Sequence, residues 1–272
     1  MDNLVSTEWL ADNLDRVKLV DASWYMPADE RDCHAEYLAA HIPGAVFFDI
    51  DEIADTSVDL PHMLPSADKF ASRMRALGVG GEDVVVYDTA GLLSAPRVWW
   101  TFKTFGKDNV AVLDGGLPKW VAEGRAVETG AVETKRSHFH AALNADRVID
   151  LDGVNAARGA VQIVDARSAA RFRGEVAEPR ANLRGGRIPG SLNVFVGDLS
   201  EGGLMKSPSE IRRIFEAAGV DLDKPAITTC GSGITAATLS FAMALAGADN
   251  SAVYDGSWTE WGGRDDTEVA TG

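Results

Sequence analysis

Cysteine is scarce in this chain: Cys33 and Cys230 are the only two among 272 residues. Two cysteines make no disulfide framework, and no Cys-x-x-Cys pair offers zinc or dithiol chemistry. A reducing compartment is therefore expected, and each thiol must be judged on its own reactivity. Long apolar runs are also missing. The nearest, over 236–248, is shorter than the roughly 18 residues a spanning helix needs, so no membrane partner is expected. The opening Met1-Asp2-Asn3-Leu4-Val5, followed by Ser6-Thr7-Glu8, carries neither the basic flank nor the apolar centre of a secretory signal. A cytoplasmic location follows as the expectation. Positive charge is in deficit, with 26 Lys and Arg against 41 Asp and Glu and a formal net charge of -15. Such a surface repels a polyanionic duplex, which argues against nucleic acid as a partner while leaving room for a local basic pocket.

What the chain does contain is a repetition. Leu19-Val20-Asp21-Ala22 matches Ile163-Val164-Asp165-Ala166, and His41-Ile42-Pro43-Gly44-Ala45 matches Arg187-Ile188-Pro189-Gly190-Ser191. Val84–Asp88 matches Ala226–Cys230 as an apolar or β-branched run ending at a polar residue. Val112-Leu113-Asp114-Gly115-Gly116 matches Val253-Tyr254-Asp255-Gly256-Ser257, each string followed by a tryptophan, Trp120 and Trp261. The offsets are 144, 146, 142 and 141 residues, too long for a solenoid and near constant, so a whole domain is duplicated. The polar, aperiodic stretch 122–145 marks the seam. The expected organisation is one domain over 1–125, a linker over 126–145 and a second domain over 146–272.

Within each half, short apolar runs (17–21, 83–87 and 110–113; 161–165, 225–229 and 252–254) alternate with amphipathic stretches such as 67–77 and 209–218. Each of those two stretches ends at Gly-Val (Gly78-Val79, Gly219-Val220), the pattern of a helix C-cap leading into a strand. Ser207-Pro208 reads as a helix start. Alternating strands and helices predict an α/β fold, twice over, each half a mainly parallel sheet flanked by helices. Trp99, Trp100, Trp258 and Trp261 are expected in cores or interfaces, and His41 in the turn of its His-Ile-Pro-Gly string. Cys33 falls at a helix start or loop.

Cys230 stands apart. The run Pro225–Thr229 leads straight into Cys230-Gly231-Ser232-Gly233-Ile234-Thr235, and a helical pattern follows from Ala236. The thiol is thus placed at the carboxyl end of a strand and the amino end of a helix, where open α/β sheets bind ligands. Glycines at 231 and 233 permit successive N–H groups to curl round the sulfur, and that nest with the helix dipole favours the nucleophilic thiolate. The competing reading, a small buried hydrophobe at a strand end, does not explain the Gly-Ser-Gly that follows.

The Cys230–Thr235 string resembles the active-site loop of the mercaptopyruvate branch of the rhodanese family. The resemblance covers essentially the whole chain, through the duplication, the His-Ile-Pro-Gly-Ala string and the Asp-Gly-Gly…Trp string. It implies two tandem rhodanese-like domains, the first catalytically silent, as Asp88 in place of a cysteine fits. It also implies sulfur transfer through a Cys230 persulfide held by the amides of Gly231, Ser232, Gly233, Ile234 and Thr235. The implied donor is 3-mercaptopyruvate and the acceptor a thiol, thioredoxin or cyanide, with pyruvate released and no metal or organic cofactor. Related phosphatases need Cys-x5-Arg, and the corresponding residue here is Ala236, which cannot grip phosphate. A serine-hydrolase elbow would need glycine at position 230. Thiosulfate-preferring relatives carry cations in the loop, and this loop is neutral. A thiosulfate donor, or a persulfide carrier without turnover, remains the alternative.

By position, Arg171 and Arg180, within Arg171-Phe172-Arg173-Gly174-Glu175-Val176-Ala177-Glu178-Pro179-Arg180, match the family's two substrate arginines. A planar guanidinium suits the carboxylate of a 2-keto acid; Arg173 is expected at the surface. Asp51, His62 and Ser232 match a proposed proton relay in the family. A histidine oriented by a carboxylate could pass protons through the serine hydroxyl to the departing enolate; the other open reading is that His62 simply packs.

Overall fold

The alternation of apolar and amphipathic stretches is realised, in a computed structural model describing all of residues 1–272, as two compact units. One comprises residues 1–55, 64–144 and 202–205, the other 56–63, 145–201 and 206–272.

The first unit holds five strands: β1 (Leu4–Val5), β2 (Val17–Asp21), β3 (Val46–Phe47), β4 (Asp83–Tyr87) and β5 (Val110–Leu113). They form one parallel sheet in the order β1-β5-β4-β2-β3. Helices α1 (Thr7–Asn13), α2 (Cys33–Ala39), α3 (Ile50–Ile53), α4 (Ala67–Ala76), α5 (Ala95–Thr104) and α6 (Gly116–Ala122) connect them. β4 reads Asp-Val-Val-Val-Tyr and is buried from Val84 to Tyr87, as a central parallel strand covered on both faces must be. The core gathers Leu10, Leu19, Val85, Tyr87, Leu113 and Trp120.

Residues 126–144, polar and aperiodic in sequence, are held on this unit one hydrogen bond at a time. Glu128 and His41 exchange backbone bonds at 2.8 and 3.0 Å, and Gly130 N–H donates to Leu38 O at 2.8 Å. Phe139 packs edge-on against Phe70. Such irregular pairing leaves no period for sequence reading to find.

The second unit repeats the plan with β6 (Val148–Ile149), β7 (Gln162–Asp165), β8 (Leu192–Asn193), β11 (Ala226–Thr229) and β12 (Ser251–Tyr254). The order β6-β12-β11-β7-β8, again all parallel, is the first sheet's order copied strand for strand. Between β8 and β11 the chain also forms two two-residue strands, β9 (Ser200–Glu201) in this unit and β10 (Leu204–Met205) in the segment that belongs to the first. The helices are α7 (Leu151–Ala157), α8 (Ala169–Arg173), α9 (Pro208–Ala217), α10 (Ile234–Leu245) and α11 (Ser257–Trp261).

Local chemistry sets the helix ends. Ser66 caps α4 through the Lys69 N–H, and Ser207 with Glu210 forms a capping box on α9, with Pro208 in the first turn. Beyond the two helices Gly78 and Gly219 adopt φ of +69° and +84°, the left-handed conformation expected of Gly-Val stops. α10 begins at Ile234, two residues before the helical pattern in the sequence. Gly233, at φ +84°, turns the chain, and buried Ile234 then enters the core. Ile234 and Thr235 therefore open the helix instead of extending the loop. All four tryptophans named from sequence are fully buried.

Candidate active site

In each sheet the strand between the second and fourth positions delivers a polar residue to the carboxyl edge, where ligands bind in folds of this kind. In the second unit that residue is Cys230, 2% exposed, immediately after β11. Gly233 turns back so that its N–H donates to Cys230 Sγ at 3.1 Å. The unsubstituted amino end of α10 lies directly behind it, with Gly233 as a cap that supplies no side-chain acceptor.

The loop's own peptide groups are held by α11. Trp258 N–H donates to the Cys230 carbonyl at 3.0 Å, and Thr259 N–H and Oγ1 both donate to the Gly231 carbonyl, at 2.8 and 2.7 Å. Ser257 Oγ accepts from Cys230 N–H at 3.2 Å and donates to Tyr254 O at 2.8 Å. Ser257 sits at φ +49°, a left-handed conformation that costs a non-glycine residue about 1 kcal/mol or more. The corresponding residue of the first unit is Gly116, at φ +52°. A hydroxymethyl group thus stands at a position where glycine is easier, and its hydroxyl is the acceptor for the Cys230 amide. Sequence reading missed Ser257, although the mismatch Gly-Gly against Gly-Ser in the repeat was visible. Ser257→Ala should keep the backbone strain and strand the buried Cys230 N–H, costing about 1–3 kcal/mol. Ser257→Gly should recover about 1 kcal/mol of that loss. Urea unfolding of the two variants checks the order, and equal midpoints would contradict it.

Arg171, on α8, lies beside the loop. A β-carbon built on Gly231 would sit 3.2 Å from Arg171 Nη2, so the guanidinium fills the side this glycine leaves open. Its other edge pairs with Glu178, Nε to Oε1 at 3.3 Å and Nη2 to Oε2 at 2.5 Å. Glu178 also accepts from Arg167 Nη1 at 2.8 Å, and Arg167 forks onto Asp165 at the end of β7. Arg167 and Glu178 were not singled out in the sequence. For Arg167 the signal was again a repeat mismatch, Asp21-Ala22-Ser23 against Asp165-Ala166-Arg167.

Arg180 Nη2 lies 3.4 Å from His62 Nε2, both within the second unit. A guanidinium only donates, so a hydrogen bond at this contact has Nε2 as its acceptor. His62 is buried and at φ +62°. Ser232 is buried in the Cys230 loop. Asp51 belongs to the first unit, where its Oδ2 accepts from Trp24 Nε1 at 3.1 Å. Arg173 is exposed and paired with Glu175. Cys33 opens α2; burial first, and then the Asp49 carboxylate, push its thiol up, which keeps it protonated near neutral pH.

The first unit shows what such a loop can hold. Asp88 occupies the place of Cys230, 1% exposed, and its carboxylate accepts from four backbone N–H groups. Ala90 and Leu92 donate to Oδ1, each at 3.1 Å, while Ser94 and Ala95 donate to Oδ2 at 2.9 and 2.8 Å. The turn between strand and helix is an anion cradle, filled here by the chain's own side chain.

A fold of two parallel sheets with this turn at each carboxyl edge is that of a rhodanese, and the Rhodanese-like domain family matches residues 6–123 and 151–264. The chain belongs to the rhodanese family. It is 45% identical to the 3-mercaptopyruvate sulfurtransferase of Escherichia coli (strain K12), covering 97% of this chain and 96% of that protein. Identity to the Homo sapiens 3-mercaptopyruvate sulfurtransferase is 43%, with 95% and 91% covered. The thiosulfate sulfurtransferase of Bos taurus is 42% identical over the same shares. The crystal structure of the Escherichia coli enzyme superposes with a TM-score of 0.87 at 43% identity, covering 95% of this chain and 99% of that one. With relatives of this kind over nearly its full length, the chain is a sulfur-transferring enzyme. No helix is long and apolar enough to cross a membrane.

Proposed function

We propose that the chain takes the sulfur of 3-mercaptopyruvate onto Cys230 as a persulfide and passes it to a thiol, thioredoxin or cyanide, releasing pyruvate. The observation that carries this reading is the buried Cys230 Sγ with the Gly233 N–H 3.1 Å away, in a loop whose open side is filled by the Arg171 guanidinium. In the first step the Cys230 thiolate attacks the donor's sulfur. The carbon–sulfur bond breaks with its electron pair going to carbon, and the resulting carbanion is spread onto the ketone oxygen as an enolate. The donor's thiol proton passes to the enolate carbon and gives pyruvate; Cys230 keeps the sulfur as the persulfide anion Cys–S–S⁻. In the second step an acceptor thiolate attacks the outer sulfur, and Cys230 departs as thiolate.

Arg171 and Arg180 take the donor's carboxylate and ketone oxygens. Ser232 and His62 return the proton to the enolate; Asp51 joins them on the strength of the family resemblance alone. The Gly233 N–H on Cys230, at the cap of α10, is the counterpart of the Ser94 N–H at the cap of α5 that donates to the Asp88 carboxylate, which supports a persulfide anion in the same cradle. Thiosulfate is the second donor to test, because a relative of comparable identity is named for it. Against it stands a loop from Gly231 to Thr235 with no cationic side chain.

The test is pyruvate release from 3-mercaptopyruvate beside thiocyanate formation from thiosulfate and cyanide. Turnover should be faster with 3-mercaptopyruvate. Arg171→Ala should lower kcat/KM for that donor about a hundredfold, chiefly through KM, as expected when one partner of a charged hydrogen-bonded pair is lost. Thiosulfate preference would overturn the donor assignment, and inactivity with both donors would leave a persulfide carrier.

A further inference from the structure

Arg171 is poorly placed to hold its own position. Its helix, α8, is five residues long and ends at Gly174, φ +74°, and its side chain is 26% exposed. A long side chain on a single turn at the surface samples several rotamers unless something fixes it. The groups that fix it are out of solvent: the side chains of Glu178, Arg167 and Asp165 are each 1% exposed. Arg167 is held on every side, by the Asp165 carboxylate, by the Gly186 carbonyl at 2.8 Å and by the Trp258 ring, whose centroid is 4.3 Å from its guanidinium carbon. Glu178 is pinned by Arg167 through Oε1 and presents both oxygens to Arg171.

The stereochemistry of that last pair decides what remains free. Arginine has five N–H donors in a fixed fork. Glu178 occupies the side edge, Nε–H with one Nη2–H. The end edge, Nη1 with the second Nη2–H, is left for another carboxylate, and Nη2 is the atom beside Gly231. Charges along the chain Asp165, Arg167, Glu178, Arg171 alternate and sum to zero, so the cluster greets an incoming monoanion with aimed donors more than with excess charge.

We infer that Glu178 is a positioning residue for the sulfur donor: it fixes the side edge of Arg171 so that the end edge faces the Cys230 loop, and Arg167 is its rigid support. This rests on the reading that Arg171 grips the donor. The experiment is steady-state kinetics with 3-mercaptopyruvate on wild type, Glu178→Gln, Arg171→Ala and the double variant. Glu178→Gln keeps the shape but turns an amide N–H toward an arginine. It should raise KM about tenfold and leave kcat within about twofold. In the Arg171→Ala background the same substitution should shift KM less than about twofold, because its effect travels through Arg171. A KM unchanged by Glu178→Gln, or raised equally in both backgrounds, overturns the inference. Arg171→Ala with wild-type KM instead overturns the reading beneath it. Should Glu178→Gln fail to fold, Glu178→Asp keeps the buried charge and shortens its reach. It should give a smaller KM rise that again vanishes without Arg171, and a rise that persists there refutes the positioning role.

Discussion

Cys230→Ser is expected to lower sulfur transfer at least about a thousandfold, because the variant keeps the loop and loses the atom that carries the sulfur in the proposed mechanism. A serine hydroxyl in the same cradle accepts the Gly233 N–H, yet it is far too weakly acidic to present an anion, and oxygen forms no stable analogue of a persulfide. The measurement is intact-protein mass after a single addition of 3-mercaptopyruvate, together with pyruvate release. Wild type should gain the mass of one sulfur atom and lose it again on addition of a thiol. Cys230→Ser should gain nothing. Only Cys33 could contradict this, since it is the other cysteine in the chain. Its thiol is pushed toward the protonated form by burial and by Asp49. Sulfur found on the Cys230→Ser protein would mean that the transfer runs through Cys33, and the proposed mechanism would fall.

The second large effect concerns stability and lies in the other unit. Asp88→Ala should destabilise the first unit by about 3–5 kcal/mol, because each buried N–H left without an acceptor costs about 1–3 kcal/mol and partial relaxation offsets some of the four. Four backbone N–H groups converge on that carboxylate in a site 1% exposed, and alanine accepts from none of them. Asp88→Asn separates charge from shape. Its carbonyl oxygen can serve one pair of donors, while its NH2 group faces the other pair, so a substantial part of the loss should remain. Urea unfolding followed by a probe in the first unit measures both. A variant with alanine at position 88 that unfolds within about 0.5 kcal/mol of wild type would show that water fills the cradle as well as the carboxylate does.

These two residues occupy one position in a repeated design, and the repeat explains much of what the sequence disclosed. Leu19–Ala22 and Ile163–Ala166 end matching strands, the Gly-Val stops follow matching helices, and the two sheets share one strand order. Interactions of this kind are local. A cap reaches three residues, a strand's alternation two, and a turn four, so a linear text records them directly. The position of Cys230 was legible for the same reason: strand, thiol, glycine-rich turn and helix are consecutive. The start of α10 was misjudged by two residues because Ile234 and Thr235 are equally at home in a loop and in a first helical turn until Gly233 is seen to be left-handed.

Other parts of the site were not legible. Arg167 and Arg173 are the same residue type six positions apart; one is 1% exposed against Asp165 and Glu178, the other lies in solvent with Glu175. Ser257 reads as an ordinary small residue until its hydroxyl is found at the Cys230 amide, 27 positions away in sequence. Both Arg167 and Ser257 stand where the two halves differ, Ser23 against Arg167 and Gly116 against Ser257, as Asp88 differs from Cys230.

By itself the sequence determined that there are two α/β domains and that Cys230 sits between a strand and a helix, since those depend on neighbours along the chain. Only the tertiary structure decided which arginine meets the loop, which carboxylate aims it and what fills the cradle of the first unit. Those pairings depend on burial and on strand order, which bring distant side chains into a low-dielectric space where a partner becomes obligatory.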